Sequence, residues 1–384
     1  MNKPNGMIIG IDASRAFLKR RTGIEEYSYQ VIKHLCDELS HDVEVVLYVR
    51  KKLSFAHGRV DLKGPDIDFE LPKNWTVRGL WAPRFWTQIG LSLEMLFHTP
   101  DVLFVPAHTV PLIHPKKTIV TIHGLEYEFC KEAYSFWERA YMHYSIMFSC
   151  QVASTVVCVS ENTKRDVMSF YGVSEGKIRV VSEGYERQST NNSQQITVSD
   201  QQSTQKPEKP YLLFIGRLEE RKNIVRIIEA FEMLKEKYQI PHELLLVGKP
   251  GYGYDRIKQQ IAKSKYQSAI IEKGYVVEEE KWPLLQKADV FLFPTLYEGF
   301  GIPVLEAQSV GVPVVTSSTS SLPEVAGDGA VFVDPTSVES IAEGAQKLLS
   351  DEGMRNGIIS KGRENIKRFS WEGCAANLSV LLND

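Results

Sequence analysis

Two glutamates eight residues apart, Glu298 and Glu306, stand in the stretch ADVFLFPTLYEGFGIPVLEAQSVGVPVVTS, residues 288–317. An ionised carboxylate only accepts hydrogen bonds. Gly299 and Gly301 sit between the two and leave main-chain N–H groups open to a close-approaching ligand. Acceptors for hydroxyls beside donors for an anion suit something both sugar-like and phosphorylated, such as a nucleotide sugar. A second group of residues adds positive charge. Arg217 offers a planar fork to phosphate oxygens, and Lys222, five residues on, a point charge. A third residue, His123, follows an apolar run in TIVTIHG. Each feature has a plain structural reading as well. A Gly-x-Gly loop is usually a turn, a glutamate in a first helical turn serves the helix dipole, and Arg217 and Lys222 flank a charged, solvated EER. The histidine alone is as often structural as functional.

The elements that must position these residues are readable. Val290 to Phe293 is a short apolar run closed by Pro294, as in a buried parallel strand. Thr295 to Gly301 is a loop, Pro303 suits the start of a helix, and Gly311 with Pro313 stops it. Val314 and Val315 open the next strand. Glu298 thus falls at the carboxyl end of a strand, where open α/β sheets bind ligands. Glu306 falls about one turn into the helix. That helix's N-terminus favours an anion.

The same rhythm runs through the chain. Strands are predicted at 7–11, 43–48, 102–105, 117–122, 155–159 and 178–181, and again at 211–215, 244–247, 270–271, 290–293 and 331–333. Gly23 opens a helical segment, GIEEYSYQVIKHLCDEL, directly after a polar loop. That makes it a candidate phosphate-facing turn, unless Glu25 and Glu26 point toward it. Ser160 is placed as a helix cap. Residues 51–90 interleave Trp75, Trp81, Phe85 and Trp86 with Arg78 and Arg84. This suits either a membrane interface or an ordinary core with a solvated rim. The polar segment 189–210 reads as a linker. Two βα-rich halves predict two doubly wound domains with a cleft between them: residues 1–188, then 211–369, with a helix at 370–384 packing back on the first.

Composition narrows the function classes. The net charge of −3 argues against a general nucleic-acid binder. Five cysteines without a C-x-x-C pair fit reduced thiols in a cytosol, not a disulfide framework or zinc site. No secretory h-region precedes the first strand. Residues 140–160 lack charge, but they carry several polar side chains and end in a strand pattern. They are read as helix and strand, not as a span.

The second half resembles the family-4 retaining glycosyltransferases along most of its length. It does so through GRLEERKN, VGKPGYGYD, KGYVVEEE, EGFGIPVLEA and SLPEVAGDGAVFVDP, and the two glutamates match that family's E-x7-E element. The first half matches more thinly, through RTGIEEYSY, TIHG and CVSENTKRDV. The resemblance implies a GT-B fold of two Rossmann-like domains. The donor would be held mainly by the second domain and the acceptor by the first, with no cofactor and no required metal. It implies that Arg217 and Lys222 hold the donor diphosphate. Glu298, with Gly299 and the N–H groups of Phe300 and Gly301, orients the sugar, and Glu306, next to Leu305, takes the ribose. Tyr275 and Val276 lie where the base is read. Gly23 closes on the diphosphate and His123 contacts the sugar. His123, Arg217, Lys222 and Glu298 form the catalytic set. Asp66-Ile67-Asp68 mimics a metal-binding D-x-D, but it is far from any strand end and is read as incidental.

The lean within the family is toward mannose from GDP-mannose, passed to a glycan or lipid-linked saccharide by a cytoplasmic enzyme, with peripheral contact at the inner membrane face as one reading. The alternatives are a glucosyl- or N-acetylglucosaminyltransferase using a UDP-sugar, a nucleotide-sugar epimerase, a phosphorylase, a non-catalytic sensor and a glycosidase. The chain has His123-Gly124 where many relatives have His-Asp, and Glu183-Gly184 where many have Asn-Gly.

Overall fold

The computed structural model describes residues 6–18, 21–50, 52–56, 59–63, 67–81, 85–185 and 209–384. Residues 189–208 of the expected linker lie outside the described residues, as do Asp66 and Arg84. The chain forms two compact units. The first comprises Met1–Leu125, Ser135–Gly184 and Ser370–Asp384, and the second Glu126–Tyr134 and Tyr185–Phe369. The short segment Glu126–Tyr134, which the sequence placed inside the first half, groups with the second unit.

The strands of the first unit are β1 (Ile8–Asp12), β2 (Glu44–Arg50), β3 (Lys52–Ala56), β4 (Arg59–Lys63), β5 (Trp75–Leu80), β6 (Val102–Val105), β7 (Lys117–Ile122), β8 (Thr155–Cys158) and β9 (Ile178–Val180). Seven of them form one sheet in the order β5-β2-β1-β6-β7-β8-β9, every pair parallel. β3 and β4 make a separate antiparallel hairpin. Central strands such as β6, VLFV, are buried throughout, and a strand covered on both faces reads as an unbroken apolar run. β5 escaped prediction because it is an edge strand: Trp75 is buried while Thr76 and Val77 are exposed, so the pattern is diluted.

The helix Gly23–Glu38 begins behind Thr22, whose main-chain N–H donates to the Glu25 carboxylate at 3.2 Å. Its buried face, with Tyr27, Val31 and Leu35, meets the helix Trp371–Asn383. Trp371 packs 6.0 Å from Tyr27 between ring centres, and Lys117 Nζ donates to the Leu382 carbonyl at 2.8 Å. At Gly184 a Cβ would collide with the backbone of Ser370 and Trp371. The former ambiguity over residues 51–90 divides residue by residue. Trp75 and Trp86 are core, whereas Trp81 and Phe85 are exposed. A helical stretch over residues 86–97, wound as a π-helix in its first half, buries Trp86, Leu91 and Met95 on one side. On the other it exposes Ile89, Leu93, Leu96 and Phe97.

The second unit holds β10 (Tyr211–Ile215), β11 (Glu243–Val247), β12 (Ile270–Gly274), β13 (Val290–Phe293), β14 (Val314–Ser317) and β15 (Ala330–Val333). They form a parallel sheet in the order β12-β11-β10-β13-β14-β15. Phe214, Phe291 and Phe293 stack within its core. The winding reverses between β10 and β13, so the loops that follow these two neighbours part to opposite faces. In sheets of this kind that is where a ligand crevice opens.

Candidate functional site

The loop after β10 carries Arg217, Arg221 and Lys222, and the loop after β13 carries Glu298. Several main-chain contacts lock the first loop in place. Gly216 N–H donates to Val247 O at 2.9 Å, Leu218 N–H to Lys249 O at 2.8 Å, and Gly251 N–H to Leu218 O at 2.9 Å. Gly248 adopts φ 150° with its Cβ position filled by the Gly216 carbonyl, so only glycine fits. Asn223, in the left-handed region at φ 64°, donates through Nδ2 to the carbonyls of Pro294 at 2.9 Å and Pro335 at 2.7 Å. Leu296 N–H donates to Arg221 O at 2.9 Å. The two loops are thereby stitched together at the switch point.

Glu298 and Lys222 are both buried, and Lys222 Nζ donates to Glu298 Oε1 at 2.6 Å. Arg221 Nη1 lies 3.2 Å from Glu298 Oε2 and donates to the Tyr297 carbonyl at 2.7 Å. Its Nη2 donates to Glu219 Oε1 at 2.9 Å. Burial alone would raise the Glu298 pKa, but Lys222 and then Arg221 overcome it and hold the carboxyl below its usual range. Lys222 is also drawn down: burial and the neighbouring Arg221 charge outweigh its attraction to Glu298. Behind the loop, Ser321 Oγ donates to the carbonyls of Glu298 at 2.9 Å and Phe300 at 2.6 Å. Gly301, at φ 120°, starts the helix Ile302–Ser309 where a Cβ would press on Leu322 at 2.8 Å. Pro303 occupies the second helical position, one later than expected.

The other residues expected in the donor site are more dispersed. Arg217 is exposed and lines a small concavity of about 110 Å³ with Tyr134, Glu219, Arg221 and Tyr252. Glu306 accepts from Lys281 Nζ at 2.8 Å, and Lys281 also pairs with Glu278 at 2.7 Å. Tyr275 is exposed with Lys249 Nζ 4.3 Å above its ring, and Val276 is half-buried against the core. Phe300 and Leu305 are buried, Phe300 packing edge-on to Phe369 at 5.7 Å. Gly299 is half-buried in the loop.

In the first unit, His123 stands at the end of β7 with both ring nitrogens engaged. Nδ1 lies 2.9 Å from Glu183 Oε1 and Nε2 2.8 Å from the Pro106 carbonyl. Tyr27 meets the ring edge-on at 4.5 Å and His108 at 5.3 Å. Enclosure, followed by the nearby charges of His123 and Arg15, holds His108 well below the ordinary histidine pKa. A Cβ at Gly23 would meet nothing within 4 Å, so packing within the described chain does not demand a glycine there. Glu25 is turned back onto Thr22 and lies 3.3 Å from Arg15, and Glu26 pairs with Arg21 at 2.8 Å. Among the described residues, no three His, Cys, Asp or Glu side chains gather as a metal site.

Three features were not foreseen. Arg221 is one of four successive charged residues, Glu219 to Lys222, and only the tight turn Glu220–Lys222 aims it inward. Phe129, from the segment that joins the second unit, stacks on Tyr297 at 4.4 Å beside Glu298. The Glu183–His123 bond spans 60 residues. Nothing local in the sequence signals the last two.

Comparison with known proteins agrees with this architecture. Two family models match: "Glycosyltransferase Family 4" over residues 21–188 and "Glycosyl transferases group 1" over residues 195–365. An O-antigen chain mannosyltransferase B of Escherichia coli is 30% identical over 297 residues, 77% of this chain and 74% of that protein. An O-antigen chain mannosyltransferase of Salmonella typhimurium is 24% identical, over 84% of this chain and 86% of that one. In fold, the chain is similar to a sucrose-phosphate synthase from Thermosynechococcus elongatus. The TM-score is 0.72 over 98% of each chain, at 18% identity.

Proposed function

The chain belongs to the family 4 glycosyltransferases, with the GT-B fold, and on that premise we propose that it transfers mannose from GDP-mannose to a saccharide or lipid-linked saccharide with retention of configuration. The observation that carries this reading is the Lys222–Glu298–Arg221 cluster, its lysine and glutamate buried, at the switch point between β10 and β13. The similarity to O-antigen mannosyltransferases supports the choice of sugar.

In this reading Lys222, with Arg217 at the lip, takes the diphosphate and stabilises the charge that grows on it as the glycosidic bond breaks. Removing one such donor costs about 10²–10³ in rate. Glu298 accepts from sugar hydroxyls. Glu306, reached past Lys281, accepts from the ribose. Tyr275 and Val276 flank the base. The chain offers no nucleophile in the donor cluster, since Glu298 is already spoken for by two cations. A donor phosphate oxygen then receives the acceptor's hydroxyl proton on the face the leaving group departs from, which accounts for retention. No metal is required because Lys222 and Arg217 supply the countercharge.

The first unit handles the acceptor and rests on the inner membrane face. Its exposed Phe85, Ile89, Leu93, Leu96 and Phe97 form an apolar stripe, and no helix among the described residues is long and apolar enough to cross a membrane. Sedimentation with anionic vesicles is expected, and loss of it in Leu93→Glu/Phe97→Glu checks the surface. Full retention of vesicle binding by that variant removes the membrane part of the proposal.

The donor is tested by thermal stabilisation against GDP, UDP, ADP, GDP-mannose, UDP-glucose and UDP-N-acetylglucosamine. A ligand bound only by the folded state adds about 2.7 kcal/mol at 100 times its dissociation constant. Shifts confined to GDP and GDP-mannose, and lost in Lys222→Ala, are expected. Shifts with uridine nucleotides alone would replace mannose by a UDP-sugar. No shift with any of them would overturn the reading of the site.

A further inference from the structure

Glu298 has one cation on each oxygen, and the two cations are held differently. Lys222 reaches Oε1 at 2.6 Å through a single flexible ammonium. Arg221 reaches Oε2 at 3.2 Å, and the same guanidinium is fixed by the Tyr297 carbonyl at 2.7 Å and by Glu219 at 2.9 Å. The Arg221 main chain is fixed as well, through Leu296 N–H. Arg221 is therefore tied to the loop that bears Glu298 through both its main chain and its guanidinium, while the Lys222 ammonium, beyond its bond to Glu298, is held only by the face of the Phe293 ring at 5.1 Å. The formal charges of Arg221, Lys222, Glu298 and Glu219 cancel. An arriving diphosphate disturbs that balance, since it places fresh negative charge beside Glu298. A carboxylate near a second anion is pushed toward its protonated form unless another cation stays with it. A protonated Glu298 would turn one oxygen into a donor and accept fewer sugar hydroxyls.

We propose that Arg221 is the positioning residue of the donor site: when a nucleoside diphosphate draws Lys222 away, Arg221 keeps Glu298 ionised and aimed, and the vacated Oε1 accepts a hydroxyl of the donor sugar. This rests on the nucleotide-sugar reading of the site and adds a division of labour to it. Lys222 serves the phosphate, and Arg221 serves the sugar through Glu298. The groups facing the pair are few. Glu219, Glu126 and Tyr134 face Arg221, and Cys130 lies near it, its thiol pushed up to about 11 chiefly by burial. Besides Arg221, Lys222 and the Thr295 hydroxyl act on Glu298.

The test compares GDP with GDP-mannose, and UDP with UDP-glucose, on the full chain and on Arg221→Gln and Arg221→Lys. In Arg221→Gln the affinity for the free diphosphate should change by less than about threefold. The transfer rate should fall about 10²-fold, the scale of a misplaced reacting group. The acid limb of the rate profile should move up by about one to two pH units, as expected when an opposite charge leaves a carboxylate. Arg221→Lys keeps the charge and should return the acid limb to its original position, while the rate recovers only in part. This second variant also decides the matter if Arg221→Gln does not fold. An unmoved acid limb, equal weakening of diphosphate and sugar nucleotide, or an Arg221→Lys profile like that of Arg221→Gln each overturns the assignment while leaving the glycosyltransferase reading intact. A wild-type chain that binds none of the four nucleotides overturns both.

Discussion

The two units wind the same kind of sheet, yet they treat their buried carboxylates in opposite ways. In the second, Glu298 is given two cations at the switch point itself, between β10 and β13. In the first, Glu183 is given one histidine, directly after β7, a strand away from the β1–β6 switch, and that histidine's other nitrogen is tied to a main-chain carbonyl. One centre sets two cations against a single carboxylate. The other has each ring nitrogen already committed. A shared fold thus fixes where buried charge sits without fixing how that charge is balanced.

The largest expected effect tests that balance. Glu298→Ala leaves the buried Lys222 without its carboxylate, and breaking a buried pair in this way costs about 3–5 kcal/mol. Urea denaturation should show that loss, together with loss of transfer. A loss below about 1 kcal/mol would mean that the cluster is solvated and the contrast with the first unit is false. Lys222→Ala separates function from fold. Arg221 still holds Glu298, so stability should change far less than in Glu298→Ala, while transfer falls about 10²–10³-fold. If stability drops as far in both variants, the two cations are not distinct in role.

The first unit should respond more mildly. Glu183→Gln keeps an acceptor for His123 and should cost under about 1 kcal/mol. Glu183→Leu leaves a ring nitrogen without its partner and should cost about 1–3 kcal/mol. Equal effects of the two would show that the hydrogen bond contributes little.

Acid should tell the units apart most finely. The His108 pKa is lowered in the folded state, so below about 6.5 the unfolded chain binds a proton that the native one does not, and stability falls as pH drops through that value. The Glu298 pKa is also lowered, but its contribution is kept above the ordinary carboxylate value of 4.5 and lost only as pH falls below it. Calorimetry from pH 7 to 3 should show the first unit weakening before the second. His108→Asn, a residue that tolerates the left-handed φ of 51° at this position, should flatten the pH 7–5 slope alone. An unchanged slope would remove His108 as its cause.

The second unit was the more legible in sequence. β13 and its flanking glycines are local signals: four buried residues in a row, a helix stop, and a carboxylate at the strand end. The same cues exposed Lys222 and Glu298 as a pair worth joining, although they lie 76 positions apart. Arg217, at the strand end, was singled out and Arg221 was passed over, because only the tight turn Glu220–Lys222, which carries no marker in the sequence, aims Arg221 inward. Glu306 was read correctly as one turn into its helix, but Lys281, which covers its carboxylate, comes from a helix that carries no marker of that contact. In the first unit the decisive contacts are long-range, Glu183 to His123 and Trp371 to Tyr27, and β5 hides its identity at the edge of the sheet.

The helix Trp371–Asn383 has a consequence in time. Its partners, Tyr27 and Lys117, are made early, but 185 residues, 185–369, separate Gly184 from Ser370. At typical elongation rates of about 5–20 residues per second, that interval lasts roughly 10–40 s. Throughout it the emerging first unit carries the uncovered apolar faces of Tyr27 and Leu35, with the seat of Trp371 empty. The half of the protein begun first is therefore finished after the other, and a nascent chain stalled within the second unit would present chaperones and proteases with an incomplete first one.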